Sequence, residues 1–273
     1  MLFPAMVPES TLRRGLRLGG EAVVVTGLSI YLPVLLGFEE PGLISLFLVA
    51  AALSGSFGML LEENRVNIWE KRVSGWRSNQ LTVVGFLALF GGMFVGYALA
   101  ASLLEEGRLV AFFGFAIDAS ALGQEAIQER NFGSVLAILR LNAGVLLAIA
   151  CLAFIYRGYG AMLALGWNAC VWAIVITILV LRGTASSALP RPAAIVLALG
   201  AVLPHLILES LAYAASALAF LFASKGLSTY PLGDARLRQV MVASAVLLAV
   251  GAGALILGAV VETYFPPAVL RYL

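Results

Sequence analysis

His205 and Glu209 stand four residues apart in LPHLILESLAYAASALAF, near the middle of a long apolar run. Residues i and i+4 lie on one face of a helix, so the imidazole and the carboxyl can touch or hold a common third group. Pro204 directly precedes them, removes a backbone donor and frees carbonyls on the preceding turn. Irregular backbone at membrane depth is tolerated only where protein or a water-filled cavity covers it, so the triple should face the interior of a helix bundle. An ionisable side chain at that depth costs about 2.5–3.5 kcal/mol on insertion scales and by default marks function or a partner. Two chemistries fit. One is a buried hydrogen-bonded cluster that fixes helix packing; the other is a proton- or cation-linked site in which Glu209 changes charge. Asn142 and Asn168, in neighbouring apolar runs, supply amides able to bond across helices to either residue. Arg140 lies about two turns into its run and can snorkel back to the boundary, and Glu262 stands near the outer end of the last run, within reach of water.

Catalysis asks for more than this cluster holds. A hydrolytic or metal centre needs a nucleophile or at least three metal ligands, and one histidine with one glutamate falls short. There is no phosphate loop, no G-x-S-x-G elbow, no H-E-x-x-H and no C-x-x-C pair. Cys151 and Cys170 lie singly in apolar runs and read as packing residues. The expectation is a protein that is not an enzyme and holds no metal and no cofactor.

The elements that must position these residues follow from composition. Of 273 residues 62% are hydrophobic and 12% charged, with a mean hydropathy of +1.00 and a net charge of +2. Soluble domains carry about 45–50% apolar and about 25% charged residues. So few charges cannot clothe this much apolar surface in water, which excludes a cytosolic enzyme, a nucleic-acid binder and a disordered chain. The apolar runs are long and continuous, without the alternation of a barrel wall. The fold class is therefore all-α, a polytopic transmembrane helix bundle. Runs of about 20 residues suffice to span a bilayer, and about seven are present, near 19–37, 43–61, 81–104, 133–156, 161–181, 194–224 and 240–265. Pro33 interrupts the first, which reads either as a full crossing or as a re-entrant hairpin with the second.

With the N-terminus inside, eleven Lys and Arg, among them Arg13, Arg14, Arg17, Lys71, Arg72, Arg77 and Arg236, fall on the cytoplasmic side. Five fall outside: Arg108, Arg130, Arg182, Arg191 and Arg271. That bias gives N-in, C-out. Residues 62–80, EENRVNIWEKRVSGWRSNQ, place Val66, Trp69, Val73 and Trp76 at helical spacing beside basic flanks. This predicts a cytoplasmic interfacial helix with Trp69 and Trp76 at headgroup depth, serving either to tidy a loop or to dock a partner. Residues 105–132 form the largest outer segment. Its apolar part, 109–117, is too short to span and is cut by Gly114, and an acidic amphipathic turn or two follows. Gly92 and Gly96 make a small-residue pair that either packs inside the bundle or forms a dimer face, so a homo-oligomer stays open.

At this point the residues resemble a family. LPHLILE is similar to the proline–histidine…glutamate element of the stage II sporulation protein M family. Asn142 in ILRLN and Asn168 in LALGWN resemble its two asparagines, and Glu262 and Pro266 in LGAVVETYFPP resemble its closing acidic residue and proline. Leu206 and Ala169 stand where members commonly have glycine. The likeness covers about residues 80–273, five spans, and leaves 1–79 as an added two-span hairpin carrying the helix at 62–80. The resemblance implies a plasma-membrane protein that acts as a non-catalytic scaffold or assembly subunit, with membrane or extracytoplasmic proteins and lipid as partners and no nucleic acid. The residues themselves keep a second reading open, a transporter or permease subunit, ATPase-driven or not, with its polar site at His205 and Glu209.

Overall fold

The computed structural model describes residues 9–71, 73–119, 134–180 and 189–271, and every regular element among them is a helix. In chain order they are α1 (Glu9–Leu35), α2 (Pro41–Trp69), α3 (Gly75–Ser102), α4 (Glu106–Ala119), α5 (Val135–Ile178), α6 (Arg191–Thr229) and α7 (Ala235–Leu270). All but α4 are long and apolar enough to cross a membrane. The molecule is a helical membrane bundle. α1 runs unbroken to Leu35 with Pro33 in its last turn, and the chain reverses at Gly37, whose φ of 73° suits a residue without a Cβ.

Six such helices stand where seven spans are expected, because the runs at 133–156 and 161–181 belong to the single 44-residue element α5. That element is broken at Arg157, whose φ of 54° and ψ of −128° lie outside helical space. A Cβ built on Gly160 would come 2.0 Å from the carbonyl oxygen of Leu152, eight residues back. In a straight helix those residues are about 12 Å apart, so the chain folds back on itself here. α5 is thus two arms, 135–156 and 158–178. The side chains of α6 stabilise the turn: Arg157 Nη2 donates to Ser228 Oγ at 2.7 Å, and Ser224 Oγ donates to the Phe154 carbonyl at 2.7 Å. Such partners offset the strain of a non-glycine residue at positive φ.

Gly92 and Gly96 pack inside the bundle. A Cβ on Gly92 would lie 2.3 Å from the Gly19 carbonyl oxygen, and one on Gly96 would lie 2.7 Å from Thr26, so α3 meets α1 almost backbone to backbone. Gly92→Ala should therefore cost about 1–3 kcal/mol, as overpacking does. Gly91→Ala, whose Cβ meets nothing within 4 Å, should be neutral or slightly stabilising. Thermal unfolding in detergent compares the two, and equal stability would place the α1–α3 contact elsewhere. One buried core joins Leu18 and Ala22 of α1 to Tyr213 and Leu218 of α6 and Leu255 of α7. The junction at 79/80 consequently does not separate two packing units.

The interfacial helix expected at 62–80 is not formed. Residues 62–69 continue α2, and 75–80 open α3, with Ser74 Oγ accepting from the Arg77 N–H at 3.3 Å as its cap. Two things hold this arrangement. Arg65 bonds Glu62 one turn back, at 2.8 and 2.6 Å, and buried Asn64 is tied to α3 through Ser78 and through Asn79 at 3.0 Å. Trp69 is half-buried and meets Tyr230 edge-on at 6.1 Å, so it packs on α6's end instead of lying flat at an interface. The side chain of Trp76 lies outside the described residues. Within 105–132, the apolar stretch forms α4, which kinks at Phe113 (φ −125°) one residue before Gly114. Leu109, Phe113 and Ala116 are buried, and the Phe112 carbonyl approaches Gly42 of α2. The acidic turns expected at 120–132 lie outside the described residues.

Candidate functional site

Glu209 lies halfway along the 39-residue α6, and its side chain is 5% exposed. At 1.5 Å per residue α6 is about 58 Å long, so either end is nearly a bilayer thickness away along the helix. Asn142, from the first arm of α5, donates through Nδ2 to Glu209 Oε1 at 2.5 Å. Tyr213, one turn beyond Glu209, donates its hydroxyl to Asn142 Oδ1 at 3.2 Å. A phenol proton on Oδ1 fixes which way the amide points, leaving Nδ2 for the carboxyl. The Tyr213 ring is held in turn by Trp172 of the second α5 arm, 5.9 Å away, and Phe90 of α3 stands edge-on to Trp172 at 5.6 Å.

The fourth member comes from α7. Its glycines let it close on α6: a Cβ on Gly251 would stand 3.1 Å from the Ala212 carbonyl oxygen, and one on Gly258 would stand 3.5 Å from Glu209 Cγ. One turn beyond Gly258, Glu262 reaches across and brings its carboxyl close to that of Glu209. Two carboxylates held close together away from water repel each other, and a proton on one of them relieves that repulsion. Such a pair can exchange that proton for another, or for a bound cation, without leaving two bare charges at membrane depth. Among the described residues no group of three or more His, Cys, Asp or Glu side chains is placed to hold a metal ion.

The remaining expected members are placed differently. His205 is 5% exposed, yet its Nδ1 has no hydrogen-bond partner among the described residues, and it does not bond Glu209. Sharing a helix face gives the two proximity, but the carboxyl accepts from the Asn142 amide instead. Asn168 is buried and spends its Nδ2 on the Ala164 carbonyl of its own helix, at 2.8 Å. Arg140 is exposed, close to the Ser134 cap that opens α5, and stays out of the cluster. α6 runs through Pro204 as one element, and Pro266 is buried within α7. Glu262, expected at the water boundary, is half-buried and part of the site. Two groups escaped the sequence reading. Tyr213 carries a legible signal, the same i+4 spacing that linked His205 to Glu209. Glu21, whose carboxyl accepts from Ser56 of α2, sits in the first span next to a basic segment and gave none.

Tyr213→Phe removes one donor and leaves Asn142 Oδ1 unpaired, which should cost about 1–3 kcal/mol of stability. Thermal unfolding beside Tyr159→Phe, which lies outside the cluster, measures it; equal values would mean that Asn142 is not held by Tyr213. Comparison with protein-family models, curated proteins and solved structures finds no match.

Proposed function

We propose that this chain is a seven-pass plasma-membrane protein, N-terminus cytoplasmic and C-terminus outside, that works as a transporter or permease subunit with the Glu209–Glu262 pair as its proton-exchange site. The single observation that carries this reading is the close approach of two carboxyls, Glu209 of α6 and Glu262 of α7, at membrane depth. A cluster that served packing alone would be met as well by an amide at either position, without charge in a low dielectric. Glu262 adds a direction. It is half-buried, eight residues before the end of α7, and links fully buried Glu209 toward the end of the bundle that carries residue 271. The two arms of α5, counted separately, make seven passes, and the lysine and arginine bias favours the stated orientation. With 62–69 built into α2, the support for docking an ATPase falls away.

The scaffold reading comes with the likeness to the stage II sporulation protein M family. One observation favours it: α4 packs beside the bundle on Leu109 and Phe113 while presenting exposed Val110 and Arg108 at the end this topology places outside. Proteoliposomes with a trapped pH indicator separate the two. Under an imposed pH difference the wild-type protein should move protons, and Glu262→Gln, which keeps the size and hydrogen bonding, should stop it. Wild-type vesicles as tight as protein-free ones would favour the scaffold.

A further inference from the structure

A second polar site lies at the opposite end of the bundle, where α2 and α6 end and α3 and α7 begin. The four helices enclose a pocket of about 440 Å³. Its wall is apolar, made by Leu61 and Ile68 of α2, Phe222 of α6 and Val240 of α7. Its rim carries Arg65, Lys225, Trp69 and Tyr230, with the carboxyl of Glu62 beside them. The two aromatic rings meet edge-on at 6.1 Å, and Arg236 lies over the Tyr230 ring at 4.7 Å. Tryptophan and tyrosine collect at headgroup depth, with one end apolar and the other wet.

The charges at the rim are unequally committed. Arg65 is paired with Glu62 at 2.6 Å and with Glu70 at 3.2 Å. Lys225 is half-buried; Glu62, also at the rim, is bonded directly by Arg65 and acts on Lys225 only through its charge. Its three donors therefore have no direct hydrogen-bonded acceptor among the described residues. Lys71, Arg77 and Arg238 are exposed around the same end and add positive potential, while Arg236 is paired with Asp234 at 2.7 Å. An apolar wall, an aromatic pair at the rim and a cation with no direct hydrogen-bonded acceptor among the described residues together describe a single ligand chemistry: an anionic head continuous with a hydrocarbon tail.

We propose that this pocket holds one anionic phospholipid, with its phosphate on Lys225 and the start of an acyl chain along Leu61, Ile68, Phe222 and Val240. Basic pockets between membrane helices bind anionic head groups in this way. The site shares no residue with the Glu209 cluster and stands whether or not that cluster exchanges protons.

Native mass spectrometry of the detergent-solubilised full chain tests it, with phosphatidylglycerol, phosphatidylcholine of the same chains, or inorganic phosphate added. Wild-type protein should retain one phosphatidylglycerol in preference to phosphatidylcholine, and inorganic phosphate should not displace it. Lys225→Arg should keep that preference, and Lys225→Gln should lower it about fivefold, the worth of one basic side chain against anionic lipid. Equal retention of the two lipids by wild-type protein would overturn the proposal, and so would displacement by free phosphate. A folded Lys225→Gln that still prefers phosphatidylglycerol as wild type does would overturn it too.

Discussion

Glu209→Gln should fold like the wild type and lose activity, whereas Glu209→Leu should lose about 1–3 kcal/mol of stability for each partner it leaves unsatisfied. Leucine removes the acceptor for Asn142 Nδ2 and the partner for Glu262 at once. The Asn142 amide is then stranded among apolar neighbours, and the Tyr213 hydroxyl loses the fixed amide it donates to. Glutamine keeps a carbonyl for Asn142 and offers an N–H to Glu262, so the hydrogen-bond pattern survives; what it lacks is a proton that can leave. Thermal unfolding in detergent measures the first effect, and complementation of a strain lacking the gene measures the second. An active Glu209→Gln would reduce the cluster to a packing device. A Glu209→Leu variant as stable and active as the wild type would mean that Glu209 faces something other than Asn142 and Glu262.

The second large effect is expected at the turn of α5. Gly160→Ala puts a Cβ 2.0 Å from a backbone oxygen, and no side-chain rotation relieves that contact. The loss should reach or exceed the upper end of the ~1–3 kcal/mol usual for overpacking. Gly144→Ala, in the first arm with nothing within 4 Å, should be neutral or gain up to ~1 kcal/mol. The pair of variants separates two topologies. If the arms fold back, only Gly160→Ala loses stability and yield. If both variants unfold alike, α5 is one straight 44-residue helix of about 66 Å, twice the ~30 Å of a bilayer core, and the chain crosses once fewer.

Much of the fold was legible in the sequence because hydrophobic length is a strong signal: the apolar runs match the helices, and the runs either side of Arg157 match the two arms of α5. The misplacement at 62–80 has a physical cause. Helical spacing of Val66 and Trp69 is the same whether a helix lies on a membrane or prolongs α2. The Asn64–Ser78 and Asn64–Asn79 contacts that decide between them are tertiary. The site shows the same division. Glu209 and Asn142 stood out, being polar groups in apolar runs. Glu262 was assigned to the boundary because sequence gives its distance from a span end but not the close approach of α7 that Gly251 and Gly258 permit. His205 illustrates the converse: spacing placed it beside Glu209, and the carboxyl turned to better donors.

Whether Glu209 and Glu262 share a proton can be measured directly. Infrared titration of the carboxylic C=O stretch in reconstituted membranes separates a protonated buried carboxyl from carboxylates. A band should be present that changes with pH and with exchange into heavy water, and it should be altered in both Glu209→Gln and Glu262→Gln. A band untouched by either substitution, or no titrating carboxylic band at any pH, would contradict a shared and exchangeable proton at this site.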